Sequence, residues 1–308
     1  MFRLPELASA ALRTFRKKAY HHREYSIGML AGPTPLSLAE VTQCNPVLTR
    51  RSVTDVRAAF VADPFMMRAD DGWHMFLEVL AVRPSSRKGE IGHATSRDGL
   101  RWSYQGIVLQ EPFHLSYPHV FQDGAQTWLL PESTAAGGIR LYRADPFPSR
   151  WSFVKTLVEG DLVDSSIFRR AGRWWMFSHS AEPDRSRSLR LYGADDLSGP
   201  WIEHPRSPIV RHDKRLARPA GRVVELGDRL LRFAQDGLEG YGMHVHALEI
   251  LRLTPDDYEE VECAGNPLLT GSGRGWNGGG MHHLDVHRRE DGSWLGCTDG
   301  WSPRICRP

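Results

Sequence analysis

The chain has 308 residues, 41% of them hydrophobic, which is enough for a substantial core in a single all-β domain. Lys and Arg number 39 against 37 Asp and Glu, a formal net charge of +2, and no basic stripe interleaved with aromatics occurs. This balance argues against a nucleic-acid partner, and the longest apolar runs are strand length, too short to cross a membrane as a helix.

Residues 1–24 place Leu4, Leu7, Ala8, Ala11, Leu12 and Phe15 at helical spacing, followed by the basic run Arg16-Lys17-Lys18. The pattern predicts a short amphipathic helix. It either packs on the domain or makes a peripheral contact with an anionic membrane. Arg3, Glu6 and Arg13 interrupt any signal-peptide core, so the sequence reads as cytoplasmic, with the inner face of the membrane as the alternative location. The four cysteines, Cys44, Cys263, Cys297 and Cys306, show no CxxC or zinc spacing. They read as free thiols, with a Cys297–Cys306 pair open in an oxidising compartment.

Residues 25–49 read as two strands without a partner of their own. Beyond them a unit recurs five times: a polar residue opening an apolar strand, a Gly-centred turn, then an aromatic-rich strand. The copies span 62–78, 116–132, 163–180, 217–236 and 281–300. With Asp63, Ser116, Asp164, Arg218 and His283 as anchors, successive copies lie 53, 48, 54 and 65 residues apart. Four second strand pairs follow at 89–109, 137–158, 188–210 and 246–269, carrying Trp102, Trp151, Trp201 and Tyr258. A period near 50 residues of paired strands predicts an all-β fold, a five-bladed β-propeller with a short N-terminal helix. The propeller would occupy 25–308, with 25–49 completing the last blade and closing the ring.

In each antiparallel pair the start of one strand and the end of the next share an edge. One face of the ring should therefore collect Asp63 and Glu78; His114, Ser116, Tyr117 and Glu132; Asp164 and His179; Arg218, Gln235 and Asp236; and His282, His283 and Asp299. A concavity lined by such titratable groups is the expected functional site. Trp73, Trp128, Trp174 and Trp175 sit mid-strand and read as blade core. No cofactor or metal site is predicted, although a divalent cation at the channel stays open. His282 and His283 are adjacent on a strand and should point opposite ways. The run GSGRGWNGGG at 271–280 reads as a rim loop.

The motifs resemble the propeller glycosidases of the glycoside hydrolase family 43 type. "ADPF" at 62–65 is similar to their general-base motif and "VDSSIF" at 163–168 to the motif of their second aspartate. The resemblance implies Asp63 as base and Asp164 as the residue that tunes and orients. Where those enzymes carry a general-acid glutamate, this chain reads Ala217-Arg218-Pro219. Arginine stays protonated, so it suits a leaving group that is already anionic. "HLSYPHVF" at 114–121, "LLPES" at 129–133 and "FAQDGLEGYG" at 233–242 more closely resemble the N-terminal propeller of plant glucosamine inositolphosphorylceramide transferases and its bacterial relatives.

The expectation is an inverting glycosyltransferase using a furanose-type donor with a phosphate or pyrophosphate leaving group, such as phosphoribosyl pyrophosphate, and a glycan acceptor. Asp63, Asp164 and Arg218 would be catalytic and the other mouth residues would bind substrate. An inverting glycosidase with Glu132 or Glu78 as acid, and a non-catalytic glycan-binding propeller, are the alternatives.

Overall fold

The computed structural model describes residues 22–181 and 187–304. The predicted helix lies outside the described residues except at its end, where His22–Glu24 already begin a strand. The chain opens with β1 (His22–Thr34) and β2 (Ser37–Glu40). The first blade follows as β3 (Ala58–Ala69), β4 (Gly72–Arg83), β5 (Ser86–Ser96) and β6 (Ser103–Leu109). The second is β7 (Ser116–Asp123), β8 (Gln126–Glu132), β9 (Gly138–Ala144) and β10 (Trp151–Glu159). The third is β11 (Leu162–Arg170), β12 (Arg173–Ala181), β13 (Arg187–Ala194) and β14 (Ile202–Glu203). The fourth contains β15 (Arg218–Pro219), β16 (Val224–Leu226), β17 (Arg229–Asp236), β18 (His244–Leu253), β19 (Tyr258–Glu262) and β20 (Leu269–Thr270). The fifth joins β21 (Leu284–Arg288) and β22 (Trp294–Arg304) to β1 and β2.

Closure runs through β1 against β22, from His22 opposite Arg304 to Gly32 opposite Trp294. Every sheet buries both faces against its neighbours, so the core divides into inter-blade layers. Met66, Met75 and Leu77 of blade one meet Ile27, Met29 and Leu295 of blade five. Phe65 and Phe76 meet Leu129 and Tyr142 of blade two. Each such side chain contributes roughly 1.5–3 kcal/mol by leaving water. Trp73, Trp174 and Trp175 are buried in these layers, as mid-strand tryptophans should be. Trp102, Trp151 and Trp201 instead latch the turn before the outermost strand. Their indole N–H groups donate to Gly99, Pro148 and Leu197 carbonyls at 3.0, 3.1 and 3.1 Å. No helix among the described residues is long and apolar enough to cross a membrane.

The innermost strands of blades one, two and three share one irregularity. Asp63, Tyr117 and Asp164 have φ of 50°, 45° and 52°, a left-handed backbone that is costly for a side chain bearing a Cβ. Each follows the residue paired across its blade, Ala62 with Glu78, Ser116 with Glu132 and Val163 with His179, and the register shifts just beyond. The equivalent of Asp63 in blade two is therefore Tyr117, one residue beyond the Ser116 anchor expected from sequence.

Below this level the channel is filled. Arg222 pairs with buried Asp285 and donates to the Met66 and Val120 carbonyls at 2.9 and 3.3 Å. At Gly221 (φ 138°) a Cβ would lie 1.8 Å from the Leu284 carbonyl oxygen. Gly221→Ala is accordingly expected to unfold the protein or cut its stability by more than about 4 kcal/mol, at the extreme of single substitutions. Soluble yield and thermal melting check this.

Candidate active site

The inward kink at Asp63 sends its carboxylate into the mouth rather than into the blade. Its Oδ2 accepts the Tyr117 amide at 3.2 Å, and its own amide donates to Asp299 Oδ2 at 3.0 Å. Oδ1 is buried without a hydrogen-bond partner, 3.6 Å from His282 Nε2. Burial raises the Asp63 pKa to about 7; His282 works against this, Asp299 and Asp164 add to it, and Arg218 opposes it.

His282 is held from the other side, Nδ1 lying 2.6 Å from Asp299 Oδ1 and Nε2 3.0 Å from the Tyr241 hydroxyl. Burial alone would lower the His282 pKa, but the charge and hydrogen bond of Asp299, together with Asp63, raise it. Asp63, His282 and Asp299 offer ligand atoms within 4.8 Å of one another, the geometry a cation could use. The Nδ1–Asp299 bond orients the imidazole so that its Nε2 edge lies beside Asp63, within charge–charge reach but beyond hydrogen-bond distance.

Across the mouth, Arg218 donates from Nε to Asp164 Oδ2 at 2.5 Å, and Gln235 Nε2 donates to the same oxygen at 2.9 Å. Gln235 also donates to the Pro219 carbonyl, which fixes its amide. Asp164 Oδ1 and Gln235 Oε1 are buried without partners. The Arg218 guanidinium lies 5.0 Å from the centre of the Tyr241 ring. Burial is the largest influence on Arg218 and works against its charge, but Asp164, Tyr241 and Asp63 together more than offset it and the group is held firmly protonated.

Glu78 and Glu132 complete the wall. Burial, then the neighbouring carboxylates Asp63 and Glu132, raise the Glu78 pKa well above its usual range. His114 Nε2 lies 3.6 Å from Glu78, while His114 Nδ1 accepts the Gly89 amide at 2.8 Å. Glu132 accepts the Thr134 amide at 2.7 Å and the Ser116 hydroxyl at 3.3 Å. Burial raises it to about 7, against the pull of the Thr134 amide.

The structure thus brings Asp63, Glu78, His114, Ser116, Glu132, Asp164, Arg218, Gln235, His282 and Asp299 around one mouth. Four expected residues do not reach it, two of them because they fill the channel below. The Tyr117 side chain is fully buried and runs into the channel, where its hydroxyl meets Ser166 at 2.8 Å and Gly221. The long phenol carries its hydroxyl past the mouth to these partners, so Tyr117 does not touch a leaving group. His283 faces away from His282, with Nε2 at 2.9 Å from the Pro64 carbonyl and its ring edge-on to Phe65. Burial lowers its pKa to about 4, leaving a neutral channel filler.

His179 and Asp236 stand one step back. His179 Nε2 accepts from Arg187 at 3.1 Å, and Asp236 Oδ2 lies 3.0 Å from His246. Sequence reasoning missed Tyr241, Arg187 and Lys214. With Arg218, Asp236 and Gly237 they line a small, open cleft of about 60 Å³ beside the mouth. Tyr241 lies inside the quoted run at 233–242, but on a connection between strands, where no repeat marks it.

A family model described as "Glucosamine inositolphosphorylceramide transferase 1, N-terminal" matches residues 22–301. Proteins named glucosamine inositolphosphorylceramide transferase 1 from Oryza sativa subsp. japonica and Arabidopsis thaliana are 36% and 32% identical. Each match covers 90% of this chain but 40% and 39% of the relative. The chain therefore spans about two-fifths of the length of these curated relatives. Among solved structures, a putative glycoside hydrolase from Parabacteroides distasonis superposes with a TM-score of 0.62 at 10% identity, covering 84% of this chain and 95% of that one. A family 117 glycoside hydrolase from Zobellia galactanivorans gives 0.54 at 13%, covering 93% of each. At these identities the likeness shows the fold alone.

Proposed function

The chain belongs to the family of the glucosamine inositolphosphorylceramide transferase 1 N-terminal region, and from that premise we propose that its propeller is an inverting glycosyltransferase acting on a phosphorylated sugar donor. The observation that carries this reading is Arg218, clamped to Asp164 at 2.5 Å where a hydrolase of this fold would need a proton donor. A guanidinium cannot protonate a departing oxygen, but it neutralises one that leaves as phosphate or pyrophosphate. Beside it, Asp63 Oδ1, Asp164 Oδ1 and Gln235 Oε1 are buried acceptors without donors. Buried acceptors are normally satisfied, and the hydroxyls of a bound sugar would supply the missing protons.

In the proposed step the acceptor hydroxyl oxygen attacks the anomeric carbon and its proton passes to Asp63 Oδ1. The carbon–oxygen bond to phosphate breaks, the electron pair leaving with the phosphate toward Arg218. Asp164 faces the positive charge that develops on the sugar. Candidate donors are phosphoribosyl pyrophosphate, a polyprenyl-phosphate furanose or a nucleotide furanose, and the acceptor is a growing glycan. Residues 1–24 would supply a contact with the inner face of a membrane, with the domain in the cytoplasm.

A second reading, an inverting glycoside hydrolase, is favoured by Glu132. Its carboxyl, raised to about 7, would hold a proton near neutrality as a general acid must. Thermal shift with phosphoribosyl pyrophosphate, nucleotide sugars and neutral furanosides separates the two. Stabilisation by phosphorylated donors, absent in Arg218→Ala, supports transfer. Stabilisation by neutral furanosides alone, unchanged in Arg218→Ala, overturns it.

A further inference from the structure

The cleft between blades three and four carries more positive charge than a single phosphate needs. Arg187, at the start of β13, Lys214, on the connection before β15, and Arg218 reach it from three separate segments. Arg218 spends its Nε on Asp164, and among the described residues no hydrogen bond to protein engages its terminal nitrogens. The guanidinium also lies over the Tyr241 ring, 5.0 Å from its centre, and its two terminal nitrogens are the donors a bidentate phosphate contact uses.

Arg187 is steered into the cleft by His179, which accepts from it at 3.1 Å while its other nitrogen lies 3.3 Å from the Ala217 carbonyl. Burial, then Arg218, lower the His179 pKa to about 4, so the imidazole positions Arg187 without adding charge. The Lys214 carbonyl accepts the Gly237 amide at 2.9 Å, tying the lysine's loop to the edge of the cleft. The one acid among the lining side chains, Asp236, is already engaged, by His246 and by the Leu238 amide at 2.8 Å.

We propose that this cleft is a diphosphate subsite, in which Arg218 takes the phosphate bonded to the sugar while Arg187 and Lys214 take the distal one. The inference rests on the phosphorylated-donor reading and narrows it to donors whose leaving group holds two linked phosphates. Three cations from separate segments line this one cleft, and two linked phosphates bring more negative charge to meet them than a single phosphate at Arg218 does. His179 then acts as a positioning residue for Arg187.

Calorimetric titration of the whole chain with inorganic pyrophosphate and with orthophosphate, both without divalent cations, tests this. Pyrophosphate is expected to bind at least about tenfold more tightly. Lys214→Ala and Arg187→Ala should each weaken pyrophosphate about tenfold, the size of one well-placed charge-assisted contact, and shift orthophosphate less than about twofold. Lys214 is exposed, so its variant should fold normally. Equal affinity for the two anions, or pyrophosphate affinity unchanged in both variants, overturns the diphosphate assignment. If orthophosphate still binds and is lost in Arg218→Ala, the phosphorylated-donor reading survives that result. If neither anion binds, both fall.

Discussion

Replacing Asp63 with asparagine is expected to lower transfer from a phosphorylated donor by about 10²–10⁴-fold, the usual contribution of a positioned general base. The substitution isolates chemistry from folding. Asparagine tolerates the left-handed φ of 50° nearly as well as aspartate, and its carbonyl still accepts the Tyr117 amide. Melting should therefore stay close to wild type.

The pH profile carries the sign of the assignment. Asp63 must be ionised to accept the acceptor proton, and burial raises its pKa to about 7. Wild-type kcat/KM should fall as pH drops below about 7, and the residual rate of Asp63→Asn should lose that limb. Release of phosphate or pyrophosphate from donor in the presence of acceptor, followed from pH 5 to 9, measures both. A variant that keeps the wild-type rate and profile would exclude Asp63 as the base.

Arg218→Ala is expected to damage binding and stability together. Asp164 is 2% exposed, and its Oδ2 would keep only Gln235. Removing one partner of a buried ion pair strands the other and costs roughly 3–5 kcal/mol. For a domain of this size that corresponds to a drop in Tm on the order of 10 °C. The double variant Asp164→Asn with Arg218→Ala removes the stranded charge and should recover most of that Tm. It should not recover binding of phosphorylated donors, because the guanidinium is still missing. Thermal melting of wild type, both single variants and the double variant closes the cycle. If Arg218→Ala melts like wild type, the ion pair does not support the fold as its geometry implies.

Tyr241 lies on a connection between β17 and β18, outside the repeated strand pairs, which is why pattern reading misses it. Each blade solves the same packing problem, so periodicity reports the scaffold: strand, turn, aromatic strand, latch. Function breaks that symmetry. Ser116 illustrates the limit. It pairs with Glu132 as the strand pattern implies, yet the residue in the special conformation is Tyr117, one position on. A slip of one residue in a strand reverses the direction of every side chain, and hydrophobic alternation alone does not register a local kink. The same alternation correctly separated His282 from His283, one turned to Asp299 and the other to the Pro64 carbonyl.

By itself, then, the sequence determined the number of blades, the β1–β22 closure in outline and the carboxylates and arginine that meet at the mouth. These follow from local, repeated physics: period-two burial, turn glycines and polar strand ends. Only the tertiary structure decided which strand ends face the mouth and which fill the channel. It placed Tyr117 and His283 below the site and set Tyr241, Arg187 and Lys214 beside Arg218 from distant connections. Contacts between segments far apart in sequence depend on how whole blades pack around the axis, and no window of residues contains that information.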